Sequence, residues 1–251
     1  VGLGYLGNRY LRVNRQIKEH FTQAGLLIAA ADVDHAKEEL TIASTLAKDK
    51  LVSDHWLEDV AERQKQLGQY ERFLASSRAA RFYVTDGVDS FSEFNDSFED
   101  LNDSLRKVND SEPVDELAEL CRAALDEYRV LDDQNWSLML DAGPLSDKQK
   151  GGLRDEIGEL LVMFALRNAF VFADDEDSHR RTSESLQMLD SAEKLIAFGP
   201  GVNTLRMLWY RRIGQDKKAD AAGEMLEELA RQSDREPHAI DHYVMAQTAQ
   251  A

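Results

Sequence analysis

Hydrophobic residues recur along this chain at steps of three and four, the spacing that lines them up on one face of a helix. Tyr10, Val13, Ile17, Phe21, Ala24 and Ile28 make the first such stripe. It predicts a helix ending near Ala31. Asp32 or Asp34 can then cap a second helix carrying Ala36, Leu40, Ala43 and Ala47. Ser53 can cap a long third helix, with Trp56, Val60, Leu67, Tyr70 and Leu74 inward and an end near Phe82. Phe91, Phe94, Phe98, Leu101, Leu105 and Val108 predict a fourth. Pro113 opens a fifth, with Leu117, Leu120, Cys121, Ala124 and Tyr128 on its stripe.

The second half continues the pattern. A short helical turn around Trp136 leads to Gly143-Pro144. Ser146 and Gln149 then form S-x-x-Q, a capping box in which each residue satisfies a free N–H near the other. The helix it starts buries Leu153, Ile157, Leu160, Leu161 and Phe164. The next carries Leu186, Leu189, Ala192 and Ile196 and is expected to stop at Gly199-Pro200-Gly201. Three more are expected over about 203–213, 216–232 and from Pro237 onward. Each of the four prolines stands just before or at the start of a helical pattern, where its missing N–H costs nothing.

No strand of alternating pattern stands out, so the expected class is all-α, built from antiparallel helical hairpins. The arrangement is read as a tetratricopeptide-like solenoid or an irregular helical bundle. Residues 1–8 form a lead-in, 9–110 the N-terminal hairpins and 111–251 the C-terminal repeats. Two features suggest repetition. ADVDHAKEEL and GQDKKADAAG each place an alanine five positions after a turn residue, at Ala36 and Ala219. Pro200 and Pro237 open similar segments 37 residues apart, near the tetratricopeptide period of about 34.

Charge narrows the partners. The chain of 251 residues carries a formal net charge of −17. Nucleic acid is excluded as an expected partner, because a phosphate backbone would be repelled. Cys121 is the single cysteine, so no internal disulfide forms. No run of about eighteen apolar residues is present to span a bilayer. The chain starts at Val1, and the apolar lead-in reads as the stump of a trimmed membrane segment followed by Arg9, Arg12, Arg15 and Lys18.

From Leu120 to Arg167 the sequence resembles a known family. LDDQNWSLMLDAGPLSDKQ followed by a helix containing LLVMFA is similar to the region after the kinase domain in planctomycete-type serine/threonine kinases with tetratricopeptide repeats. LQMLDSAEKLIAFGPGVNTLRMLWYRRIGQDKKADAAGEMLEELA resembles the hairpins that follow there, and PHAIDHYVMAQ the opening of another. The resemblance implies a scaffold or sensor region of a larger signalling chain. It also implies a membrane segment between kinase and repeats. That order would place this region outside the cell, whereas the basic flank after Gly7 favours the cytoplasm. The H-R-D, D-F-G and V-A-I-K elements of a kinase are absent, so no phosphoryl transfer is expected.

Candidate sites follow from spacing. Gly2, Gly4 and Gly7 spell G-x-G-x-x-G, and Asp34 stands where a ribose-binding acid would, which is the alternative of a nucleotide-binding enzyme. That motif needs a strand before it and a helix after. The acidic run Asp86, Asp89, Glu93, Asp96, Glu99, Asp100 and Asp103 lacks the order of a calcium loop and reads as a solvated face. His238 and His242, with Asp241, have metal-ligand spacing but no third ligand. Cys121 reads as a buried thiol, and Trp136 and Trp209 as core anchors. No cofactor, metal or catalytic residue is therefore expected.

The expected function is non-catalytic binding of a protein or peptide partner, with an oligomer subunit as the alternative. Arg206, Arg211, Arg212, Lys217 and Lys218 gather in an otherwise acidic chain and suit an acidic partner. Thr204, Leu208, Arg211 and Arg212 are expected to line the concave binding face.

Overall fold

The structure is a computed structural model and describes residues 2–48, 54–91, 113–170, 176–231 and 244. The described elements are all helices, with no strand among the described residues. They are α1 (Gly2–Ala29), α2 (Val33–Ala47), α3 (Asp54–Phe91), α4 (Pro113–Glu127), α5 (Trp136–Ala142), α6 (Asp147–Phe170), α7 (Glu176–Ala192), α8 (Pro200–Arg212) and α9 (Asp216–Arg231). The protein is all-α. Its helices group into two compact units, one comprising Val1–Leu74 with Glu127–Gly152, the other Ala75–Asp126 with Leu153–Ala251.

In the first unit, α1 and α2 form a hairpin. Ile17, Ala24 and Ile28 of α1 and Ala36, Leu40, Ala43 and Ala47 of α2 are all buried. The alanines bring the two backbones close, which tightens packing. The reversal is short because Ala31 takes a left-handed conformation, φ 62°. Its N–H donates to Ile28 O and that of Asp32 to Leu27 O, each at 2.9 Å. These bonds satisfy the last carbonyls of α1. The Asp32 carboxylate then accepts from His35 N at 3.4 Å and caps α2.

The first half of α3 adds Val60, Leu67 and Phe73 to this core. Phe73 meets Tyr128 edge-on at 5.6 Å, and Phe21 meets Trp56 likewise at 5.8 Å. Arg72 grips Glu127 through two bonds of 2.7 and 2.9 Å. The capping box forms at the start of α6. Ser146 N donates to Gln149 Oε1 at 2.9 Å, and Gln149 N donates to Ser146 Oγ at 3.4 Å. Gln149 Nε2 also donates to Ile28 O at 2.7 Å, so one glutamine closes two helix ends.

The second unit is built on α6. Every residue from Leu160 to Leu166 is buried, as expected of a helix that is apolar all round. Leu117, Cys121, Ala124 and Leu125 of α4 and Leu186, Leu189 and Ala192 of α7 are also in the core. Gly158 marks a close approach, since a Cβ there would lie 2.9 Å from Ile196 Cγ2. Ser77 of α3 donates to Glu156, and Arg81 pairs with Glu159 at 2.7 Å. The α8–α9 reversal follows the same plan as α1–α2. Gly214 has φ 71°, its N–H donates to Arg211 O at 3.0 Å, and Gln215 N donates to Tyr210 O at 2.8 Å.

Three expected boundaries move. The helix expected to end near Phe82 runs to Phe91, so Phe91 closes α3 instead of opening a fourth helix. Gly87 lies inside it, where a glycine costs only about 1 kcal/mol relative to alanine. The helix expected to reach Gly199 ends at Ala192, where Leu195 and Ile196 N–H groups both turn back to Ala192 O. Gly199 and Pro200 belong to the next helix, as its N-cap and first residue. Proline's fixed φ is preorganised for that position. The cap at Ser53, the stripe from Phe94 to Val108 and the helix from Pro237 lie outside the described residues, apart from a helical, buried Val244.

The two reversals give opposite predictions. Ala31→Gly relieves a left-handed alanine and should stabilise by about 0.5 kcal/mol. Gly214→Ala should destabilise by about 1 kcal/mol. Urea unfolding of each variant against the parent measures both.

Candidate functional site

The expected binding residues all belong to α8. This helix buries Gly201, Val202, Asn203, Leu205, Trp209 and Tyr210. Asn203 and Thr204 turn their side chains back onto the helix start, Asn203 Nδ2 donating to Gly199 O and Thr204 Oγ1 to Pro200 O, both at 2.9 Å. Thr204, Leu208, Arg211 and Arg212 then follow at steps of four, three and one. They share one side of the helix, on which Gly201 of the first turn is buried, Thr204 is half-buried and the other three are exposed. Leu208 is 43% exposed, and Arg211 and Arg212 are exposed.

The two arginines differ in their footing. Arg212 donates to the hydroxyl of Ser178, a residue of α7 that is only 5% exposed. This bond ties the end of α8 to the start of α7. Arg211 makes no ion pair among the described residues. Lys217 and Lys218 open α9 just across the Gly214 turn, and Lys218 Nζ sits 5.3 Å from the centre of the Tyr210 ring. Asp216 is the acid of this tip and stands in the first turn of α9, where it complements the helix dipole.

Arg206 does not belong to the surface group that the sequence suggested. Its side chain is 12% exposed and pairs with Asp190 of α7 and, at 3.0 Å, with Glu193 just past the end of that helix. It also lies 5.7 Å from the Phe198 ring centre. Burial opposes its charge, but the Glu193 and Asp190 carboxylates outweigh that and hold the guanidinium above its ordinary range. Burial, helped by Asp190, likewise raises the Tyr210 phenol. The signal was present in the sequence: Asp190 and Glu193 stand three apart at the end of the preceding helical pattern, ready to clamp one cation.

The other candidates separate cleanly. Gly2, Gly4 and Gly7 lie within α1, and no strand–turn–helix surrounds them among the described residues. Of the acidic run, Asp86 and Asp89 fall in α3 and the rest lie outside the described residues, as do His238, Asp241 and His242. No group of three metal-binding side chains occurs among the described residues. Trp209 is buried and anchors α8, while Trp136 is half-buried at the start of α5. Cys121 is fully buried, and burial pushes its thiol up to about 12, against a small opposing pull from Arg167.

The family models, curated proteins and solved structures compared with this chain give no match.

Two measurements test this geometry. Cys121 should resist a thiol reagent at neutral pH in the folded protein and react at once in guanidinium. Arg206→Ala removes a charge-assisted clamp and should cost about 1–2 kcal/mol, read as a lower thermal midpoint, because its carboxylate partners are half exposed.

Proposed function

We propose that this chain is a non-catalytic helical-hairpin module that binds a protein or peptide partner. In this reading it serves as the scaffold or sensor region of a larger serine/threonine kinase-like chain. The observation that carries it is the α8 arc, where exposed Leu208 stands between Thr204 and the cations Arg211 and Arg212. An acidic segment with one apolar side chain complements that arc in charge and in hydrophobicity. The matched reversals at Ala31 and Gly214 support a repeated hairpin unit, since Ala36 and Ala219 are both fully buried five residues later. The kinase association rests on the resemblance of the segment from Leu120 onward.

A fluorescent acidic peptide with a central leucine tests the face by anisotropy. Arg211→Glu should weaken binding about tenfold or more, because it replaces attraction by repulsion. Leu208→Ser should weaken it several-fold. Arg212 is a poorer probe, because its loss also unties Ser178. Unchanged affinity in Arg211→Glu and Leu208→Ser would remove this arc as the binding site.

A further inference from the structure

The start of α1 carries a second surface of different chemistry. One stripe of this helix runs through Tyr10, Ile17, Ala24 and Ile28. The last three are fully buried, whereas Tyr10 is 42% exposed. The cover supplied by the rest of the unit therefore stops between Ile17 and Tyr10. Exposure is unbroken from Gly7 to Arg12, and Leu11 is 64% exposed. This open stretch is about 9 Å long at the helical rise.

Its charge is opposite to that of the chain. Arg9, Arg12, Arg15 and Lys18 give +4 between Gly2 and Lys18, with no acidic residue in that span, while the whole chain is −17. Their spacing of three carries them around the helix on the side away from the stripe, with Arg9 and Lys18 at its borders. Arg15 spends part of its charge on Glu19, at 2.9 Å on the exposed surface.

We infer that this first part of α1 docks on an anionic lipid surface. A bilayer offers both complements on that side at once, acidic headgroups for the cations and an apolar layer for Leu11, which stands between Lys18 and Arg15 around the helix. A second copy of the helix would set Arg9 and Lys18 against like charges. A polyanion would satisfy the cations and leave Leu11, the exposed apolar residue among them, in water. No described helix is long and apolar enough to cross the membrane, so this helix lies on the surface. The open stretch is comparable with the screening length of about 8 Å, which weakens repulsion between the acidic remainder and the headgroups.

Co-sedimentation of the whole chain with vesicles tests the inference. One set is phosphatidylcholine alone, the other contains one quarter phosphatidylserine. Binding should favour the anionic vesicles by tenfold or more and fall in high salt. Arg9→Gln with Arg12→Gln should lower it by about 25-fold, at about fivefold for each charge removed. Tyr10→Ser with Leu11→Ser should lower it without altering the circular dichroism spectrum. Arg211→Glu should leave it unchanged, which keeps this surface distinct from the α8 arc. Equal binding to both vesicle sets, or no effect of the arginine pair, would overturn it. So would binding to poly-glutamate in the absence of vesicle binding, which would point to an acidic protein instead.

Discussion

A helix with one apolar stripe is stable in water only where a second stripe covers it, and the nearest cover is the helix that follows. That constraint demands a sharp reversal. At Ala31 and at Gly214 the chain meets it in the same way, with one left-handed residue and two backward hydrogen bonds. The turn satisfies the orphan carbonyls of one helix and delivers the next almost at once. The buried alanines Ala36 and Ala219 then let the returning helix settle close to its partner. Glycine suits the left-handed position and alanine does not, so the first hairpin tolerates strain that the second avoids. Packing of the stripe from Ile17 to Ile28 is what holds Ala31 there.

Much of this was legible from the spacing of apolar residues. The stripes of α2, α4 and α6, and that of α1 from Ile17 onward, are those the sequence displays, the span of α9 is close to the expected one, and the Ser146–Gln149 box forms at the expected place. What misled was punctuation. Gly199-Pro200-Gly201 looks like a stop because glycine commonly follows a helix and proline cannot continue one. The same three residues also make a start, with an extended glycine before a proline at the first position. The backbone separates the two: α7 ends at Ala192, and Ile196, beyond that end, packs against Gly158. Sequence spacing cannot reveal that approach, because it joins residues 38 positions apart.

The candidate site shows the same division. Of the α8 residues Thr204, Leu208, Arg211 and Arg212, the last three are exposed and Thr204 is half-buried. Arg206 belongs to the same run of cations, yet it faces Asp190 of α7 and Glu193 just past its end and becomes part of the scaffold. A cation count therefore overstates the charge available to a partner. Ser178 adds a second constraint, since its bond fixes Arg212 and leaves Arg211 the more available of the pair. Neither contact follows from periodicity, because each depends on how α7 and α8 cross.

The distribution of charge gives these surfaces their meaning. With a net charge of −17, an isolated cluster of cations is an exception that the rest of the chain repels from any polyanion. Clusters of that kind work only where local attraction exceeds the screened field of the remainder. Two conditions favour that here. Apolar exposure accompanies each cluster, at Tyr10 and Leu11 on α1 and at Leu208 on α8, so binding does not rest on charge alone. The field of the remainder is also screened over about 8 Å, comparable with the open stretch at the start of α1. In the proposed binding, hydrophobic contact supplies adhesion and the cations choose among surfaces by sign. The glycines at Gly2, Gly4 and Gly7, which invite a nucleotide by their spelling, become part of the helix that presents one of these surfaces.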